Sequence, residues 1–130
     1  LAVPTTVALD GLDDAVSTAF ERALAALAKA GAIIEKIEVP EFNDVAPLSA
    51  KGGLTAAESY AWHRYLIVAQ GDVYDPRVRE RIMRGESQSA ADYVDLVSAR
   101  KSLVEHAVAR LAPYDAIVLP TAAITPPRGR

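Results

Sequence analysis

The sequence predicts an α/β fold, a small, mainly parallel sheet with helices packed against it. Three observations predict it. Residues 1–40 read as strand, amphipathic helix and strand joined by short links, and that βαβ pattern demands parallel pairing through a right-handed crossover. Residues 44–111 carry apolar side chains at helical spacing with no strand alternation. A further apolar run, 115–119, follows the last helix. The 130 residues, 51% hydrophobic and 24% charged, fit one globular domain able to bury a core without a disulfide or metal staple. The expected organisation is therefore a single α/β domain over 1–120 and a disordered tail over 121–130.

Each element has its own local reason. "LAVP" at 1–4 is a strand ended by Pro4. Asp10 is the expected N-cap of the first helix, with Asp13 and Asp14 in its favourable first turn. Val16, Phe20, Ala23, Leu24, Leu27 and Ala30 form its apolar stripe, and Gly31 is placed to stop it. Ile33, Ile34, Ile37 and Val39 are β-branched and bounded by Pro40, so 33–39 is the second strand. The next helical region, 44–70, contains Gly52-Gly53, at about 1 kcal/mol per glycine in a helix interior, and a break is expected there. Asp75-Pro76 is a cap followed by proline in the first turn, with Gly85 ending a short helix. "SAAD" at 89–92 resembles a capping box with Asp in place of Glu or Gln. Tyr93, Leu96, Val97, Leu103, Val104, Ala107 and Leu111 line one long helix that Pro113 stops. This helix and the 12–30 helix are expected to supply most of the core.

Composition narrows the function. The absence of cysteine excludes a disulfide scaffold, a thiolate metal site and a cysteine nucleophile. A net charge of −3 and pI near 5.3 argue against nucleic acid or an anionic membrane as direct partner. No apolar run approaches the roughly 20 residues that span a bilayer. A cytoplasmic location is the default expectation. The chain starts at Leu1 rather than Met, which reads as a cut or processed terminus.

Few side chains offer chemistry. Ser59 and His63 stand four apart on a helix and could touch, but a serine nucleophile also needs oxyanion donors, and none is indicated. His63 and His106, the only histidines, lie on separate helices without the matched spacing of a metal pair, so no metal is expected. Arg77, Arg79, Arg81 and Arg84 are balanced by Asp72, Asp75, Glu80 and Glu86. That balance describes a solvated, ion-paired helix from which one arginine could turn inward to clamp a carboxylate. Gly52-Gly53 lacks the strand–loop–helix context and Lys-Ser/Thr of a phosphate loop, and no cofactor is expected. Tyr60, Trp62 and Tyr65 are packing residues first and pocket candidates second.

The runs "LDGLDDAVSTAFERALAALAKAGAIIEKIEVPEF", "AAESYAWHRYL", "YDPRVRERIMRGESQSAADYVDLVSARKSL" and "YDAIVLPTAAITPP", in that order, resemble the C-terminal half of the amidase signature family. That family includes bacterial amidases, allophanate hydrolase and the A subunit of glutamyl-tRNA amidotransferase. The resemblance implies a mixed sheet flanked by helices and hydrolysis of a carboxamide through a serine, a cis-serine and a lysine. Those groups lie in a Gly- and Ser-rich signature upstream of the matched region. This sequence holds no Gly-Gly-Ser-Ser-Gly-Gly string, and Lys29, Lys36, Lys51 and Lys101 match none of the family's catalytic positions, so no catalytic residue carries over. Arg81 and Thr121 match positions on the substrate side and are the expected substrate-binding residues, with a small amide as ligand. The chain is thus expected to be an inactive piece of a larger hydrolase. The alternatives are a subunit of the tRNA-dependent enzyme, or a stand-alone interaction module that forms a homodimer through an exposed sheet edge.

Overall fold

A computed structural model describes residues 1–126. It is mostly helical, with a small parallel sheet, as the pattern predicts. Strand β1 (Ala2–Pro4) pairs in parallel with β2 (Glu35–Ile37), in the register Ala2 to Glu35 and Pro4 to Ile37. The helices are α1 (Asp14–Lys29), α2 (Val45–Leu48), α3 (Gly53–Gln70), α4 (Pro76–Met83) and α5 (Ala90–Leu111). Short 3-10 turns fill Pro40–Asp44, Gly71–Val73 and Arg84–Ser87. The contacts define two compact units, Leu1–Asn43 with 106–126, and Asp44–Glu105.

In the first unit, β1 is the central strand. On one side the Glu35 amide donates to the Leu1 carbonyl (3.0 Å) and the Thr5 amide to Ile37 (2.8 Å). On the other, the Ala2 amide donates to Ala116 and the Val118 amide to Ala2, both at 2.9 Å. The third expected strand, 115–119, is thereby reduced to one parallel bridge between Ala2 and Ile117. Its pairing goes no further because β1 ends at Pro4, which has no amide to give. All three residues of β1 are buried, as a strand covered on both faces requires. Val3, Phe20 and Leu24 form the core, with Leu9, Ile34 and Val118 against it.

Helix α1 starts three residues later than expected. Asp13, not Asp10, stands at its N-cap position, and its side chain makes no capping bond. The other end matches the sequence. Gly31 adopts φ +98°, the left-handed turn that glycine takes without steric cost. The Gly31 amide bonds Ala28 and the Ala32 amide bonds Leu27, both at 3.0 Å, the crossed pair of a Schellman stop.

In the second unit the expected break falls at Gly52, whose φ of +90° ends the turn after α2 and starts α3. The Gln88 side-chain amide pins the break by donating to the carbonyls of Lys51 (2.7 Å) and Gly53 (3.1 Å). Asp75 caps α4, accepting from the amides of Arg77 (2.8 Å) and Val78 (3.4 Å). The capping box of α5 is reciprocal: the Ser89 amide donates to Asp92 Oδ2 (2.9 Å) and the Asp92 amide to Ser89 Oγ (3.0 Å). Gly85 does not end a helix by a left-handed turn; it is buried in the 3-10 turn against α3. A Cβ there would meet the Ala56 carbonyl oxygen and lie 2.7 Å from Tyr60 Cβ.

One expectation fails. Helix α5 buries none of its residues, so the 93–111 stripe does not supply most of the core. Within the stripe Val97 and Val104 stay 43% and 40% exposed, and on α3 Trp62 and Val68 reach 78% and 88%. The periodicity is real, but Tyr93, Leu96, Leu103, Ala107 and Leu111 are covered only in part.

Two outcomes follow. Gly85→Ala drives a Cβ into the Ala56 main chain and Tyr60 and should lower stability by about 3 kcal/mol, at the upper end for overpacking, seen as a lower urea midpoint at unchanged slope. Ser89→Ala removes one half of the capping box and should cost about 1 kcal/mol in the same measurement.

Candidate functional site

The sequence singled out the arginines of α4, and the structure separates them. Arg77 is taken by Asp75, with Nε at 3.3 Å and Nη2 at 3.1 Å. Arg79 donates to the Gly71 carbonyl at 3.2 Å and lies 3.8 Å from Asp72. Arg84 reaches Glu80 at 3.5 Å. Each of these satisfies the ion-paired reading. Arg81 has no hydrogen bond or ion pair among the described residues, although its charge acts at range on Asp75.

Arg81 instead lines an open cleft of about 360 Å³ together with Gly52, Thr55, Ala56, Ser59, Val78, Ile82 and Arg84. Local structure explains the grouping. Thr55, Ala56 and Ser59 share one face of α3 by their spacing of three and four, and Val78, Arg81 and Ile82 do the same on α4. Gly52 brings the break close, and buried Ala56 and Ile82 form the apolar floor. The rim carries two guanidinium groups and two hydroxyls. Such a set suits an anionic or carbonyl oxygen, because the guanidinium fork donates to a planar oxygen pair and the hydroxyls add donors.

Ser59 therefore sits in the cleft, but its expected partner does not act as a base there. His63 Nδ1 is 2.9 Å from the Tyr74 hydroxyl, edge-on to that ring at 5.8 Å between centroids. No hydrogen bond joins Ser59 to His63 among the described residues. Nor does any group of three His, Asp or Glu side chains there offer a metal site. Thr121 belongs to the other unit, exposed in the segment after the Ile117 bridge. The expected tail is held at Asp13, whose amide donates to the Ala123 carbonyl at 2.8 Å; residues 127–130 lie outside the described residues.

A second cleft in the same unit, about 580 Å³, went unnoticed in the sequence. It is lined by Glu58, Tyr60, Arg64, Glu86 and Tyr93 among others. The Tyr60 hydroxyl donates to Glu86 (3.1 Å) and the Tyr93 hydroxyl to Glu58 (3.2 Å). Loss of hydration raises the Tyr60 phenol's pKa, with Glu86 adding to it; for Tyr93 the bond to Glu58 is the main cause. Only Tyr60 was flagged by composition. Its partner Glu86 is 26 positions away, and such pairing has no local signature.

The fold and cleft define a helical α/β segment with a donor-rich pocket wall. A model of the amidase family matches residues 1–130, and the chain belongs to that family. It is 29% identical over 132 residues to the 2-amino-5-chloromuconic acid deaminase of Comamonas testosteroni, covering 98% of this chain and 28% of that protein. It is also 29% identical over 120 residues to an amidase of Pseudomonas putida, covering 92% and 25%. A solved amidase structure superposes on the whole chain with a TM-score of 0.83 at 27% identity, using 30% of its own length. The chain thus spans between a quarter and a third of the proteins it matches.

Two carboxylates of this unit are held below their ordinary range. Arg77 holds Asp75 below the usual carboxylate range, helped by its backbone amide. Lys51 and then the Ser89 amide hold Asp92 far below it. Both folded-state values are depressed, so their stabilisation is present above the ordinary value near 4 and is lost as pH falls through the lowered values. Circular dichroism should show helix content steady down to about pH 4 and falling below it. The D75N/D92N double variant should be less helical at neutral pH and lose less on acidification.

Proposed function

We propose that this chain is a structural and pocket-wall segment of an amidase that hydrolyses linear carboxamides, with its Ser–cis-Ser–Lys triad in a part of the protein outside these 130 residues. The observation that carries the reading is the family match over the whole chain combined with a sequence that holds no Gly/Ser-rich signature. The many exposed large apolar side chains of α3 and α5 support it, since such surface favours contact with further protein. Within this reading Arg81 and Thr121 bind substrate. The triad performs the chemistry, and this chain orients the amide and excludes water.

The relative from Comamonas is named for a substituted muconic acid. A substrate with a carboxylate would suit Arg81, whose guanidinium is unclaimed in a cleft with two hydroxyls. On this reading Arg81 is a specificity residue: it draws the anionic end of the amide into place and leaves bond cleavage to the triad.

Two measurements test the proposal. Purified 130-residue chain and the full-length gene product are assayed on a panel of simple carboxamides; turnover is expected in the longer protein alone, and turnover by the short chain sinks the reading. In the full-length protein, Arg81→Ala should raise KM for a carboxylate-bearing amide about tenfold, the loss of one charge-assisted contact. The same change should leave KM for a neutral amide nearly unaltered.

A further inference from the structure

We propose that Asp13 is a positioning residue that latches the segment bearing Thr121 onto the start of α1. Asp13 occupies an N-cap position, where a carboxylate ordinarily accepts the amides of the first helical turn. Asp75 does this for α4, and Ser89 with Asp92 does it for α5. Asp13 makes no such bond. Its Oδ2 accepts the Thr125 amide at 3.0 Å and the Thr125 hydroxyl at 3.2 Å, and its own amide donates to the Ala123 carbonyl at 2.8 Å. The carboxylate has been diverted from the use its sequence position favours to a contact 112 residues away.

The diversion matters because little else holds that segment. Residues 121–126 have exposed side chains and belong to no helix or strand, so apolar burial contributes little to fixing them. Pro120 restricts the backbone on one side of Thr121, and the bonds from Asp13 close the other side at Ala123 and Thr125. Thr121 thereby lies between a stiffened Pro120 and the anchored Ala123 and Thr125. A single Asp receiving two donors from one Thr is selective for this pair, since no other residue type but Ser offers both an amide and a short-range hydroxyl. That Thr121 faces substrate rests on the amidase reading above; the latch itself does not.

The test uses the full-length protein and two readouts. In Asp13→Ala, exchange of the Thr125 amide proton should accelerate about tenfold or more, the effect of losing a charged acceptor. KM for a hydrolysed amide should rise about tenfold with kcat changed less. D13N keeps an acceptor oxygen and should hold KM within about threefold. Thr125→Val, which removes the hydroxyl alone, should shift both readouts in the same direction by less. Unchanged Thr125 exchange in D13A overturns the latch. Faster exchange with unchanged KM overturns its positioning role. If the wild-type protein hydrolyses no amide, the amidase reading fails, and Thr125 exchange still decides the latch by itself.

Discussion

A three-residue strand bonded on both edges is the constraint from which the first unit follows. Ala2 both donates to Ala116 and accepts from Val118, while Leu1 and Thr5 engage the 35–37 strand on the other side. Three stretches far apart in sequence are brought to one ladder by a handful of main-chain bonds. Parallel neighbours need a crossover, and α1 supplies one of them. With β1 buried on both faces, Val3 can meet Phe20 and Leu24 on the helix, and the small core is complete. Removing the central strand would leave β2 and the 116–118 segment without a common partner.

The second unit is organised instead by helix ends. Three junctions set its helix ends: the left-handed break at Gly52, the proline-led start of α4, and the reciprocal Ser89–Asp92 box. Lys51 bonds Asp92 at 2.9 Å while Gln88 bonds the carbonyls flanking the break, so the first and third junctions are tied to each other. The Lys51–Asp92 pair is exposed and worth little in isolation, and the Gln88 bonds are neutral. Their value lies in fixing where α3 and α5 begin, and therefore which of their side chains line the clefts.

Local chemistry made most of this legible. Gly31, Gly52, Asp75-Pro76 and Ser89–Asp92 act where the sequence placed them, because caps and left-handed turns depend on a few adjacent residues. What failed was anything needing a distant partner. Helix α1 starts at Asp14, and the Asp13 carboxylate before it is engaged by Thr125, which no reading of residues 10–16 could anticipate. The α5 stripe was read correctly as apolar and wrongly as core, since periodicity identifies a face and not what covers it. In the cleft, Arg81 was drawn from family resemblance, while its freedom among four arginines became visible only once Arg77, Arg79 and Arg84 were seen with their partners. The Tyr60–Glu86 and Tyr93–Glu58 pairs left no sequence trace, being contacts between elements rather than within them.

The approach of Gly85 to Ala56 sets a dimension that side-chain variation cannot alter. Main chain rests on main chain there, so the spacing between α3 and the turn after α4 is a matter of bond lengths and atomic radii, like a machined spacer. Ala56 is also the floor of the Arg81 cleft. Rim side chains can change the polarity or charge of the slot while its width stays set by the main chain beneath them.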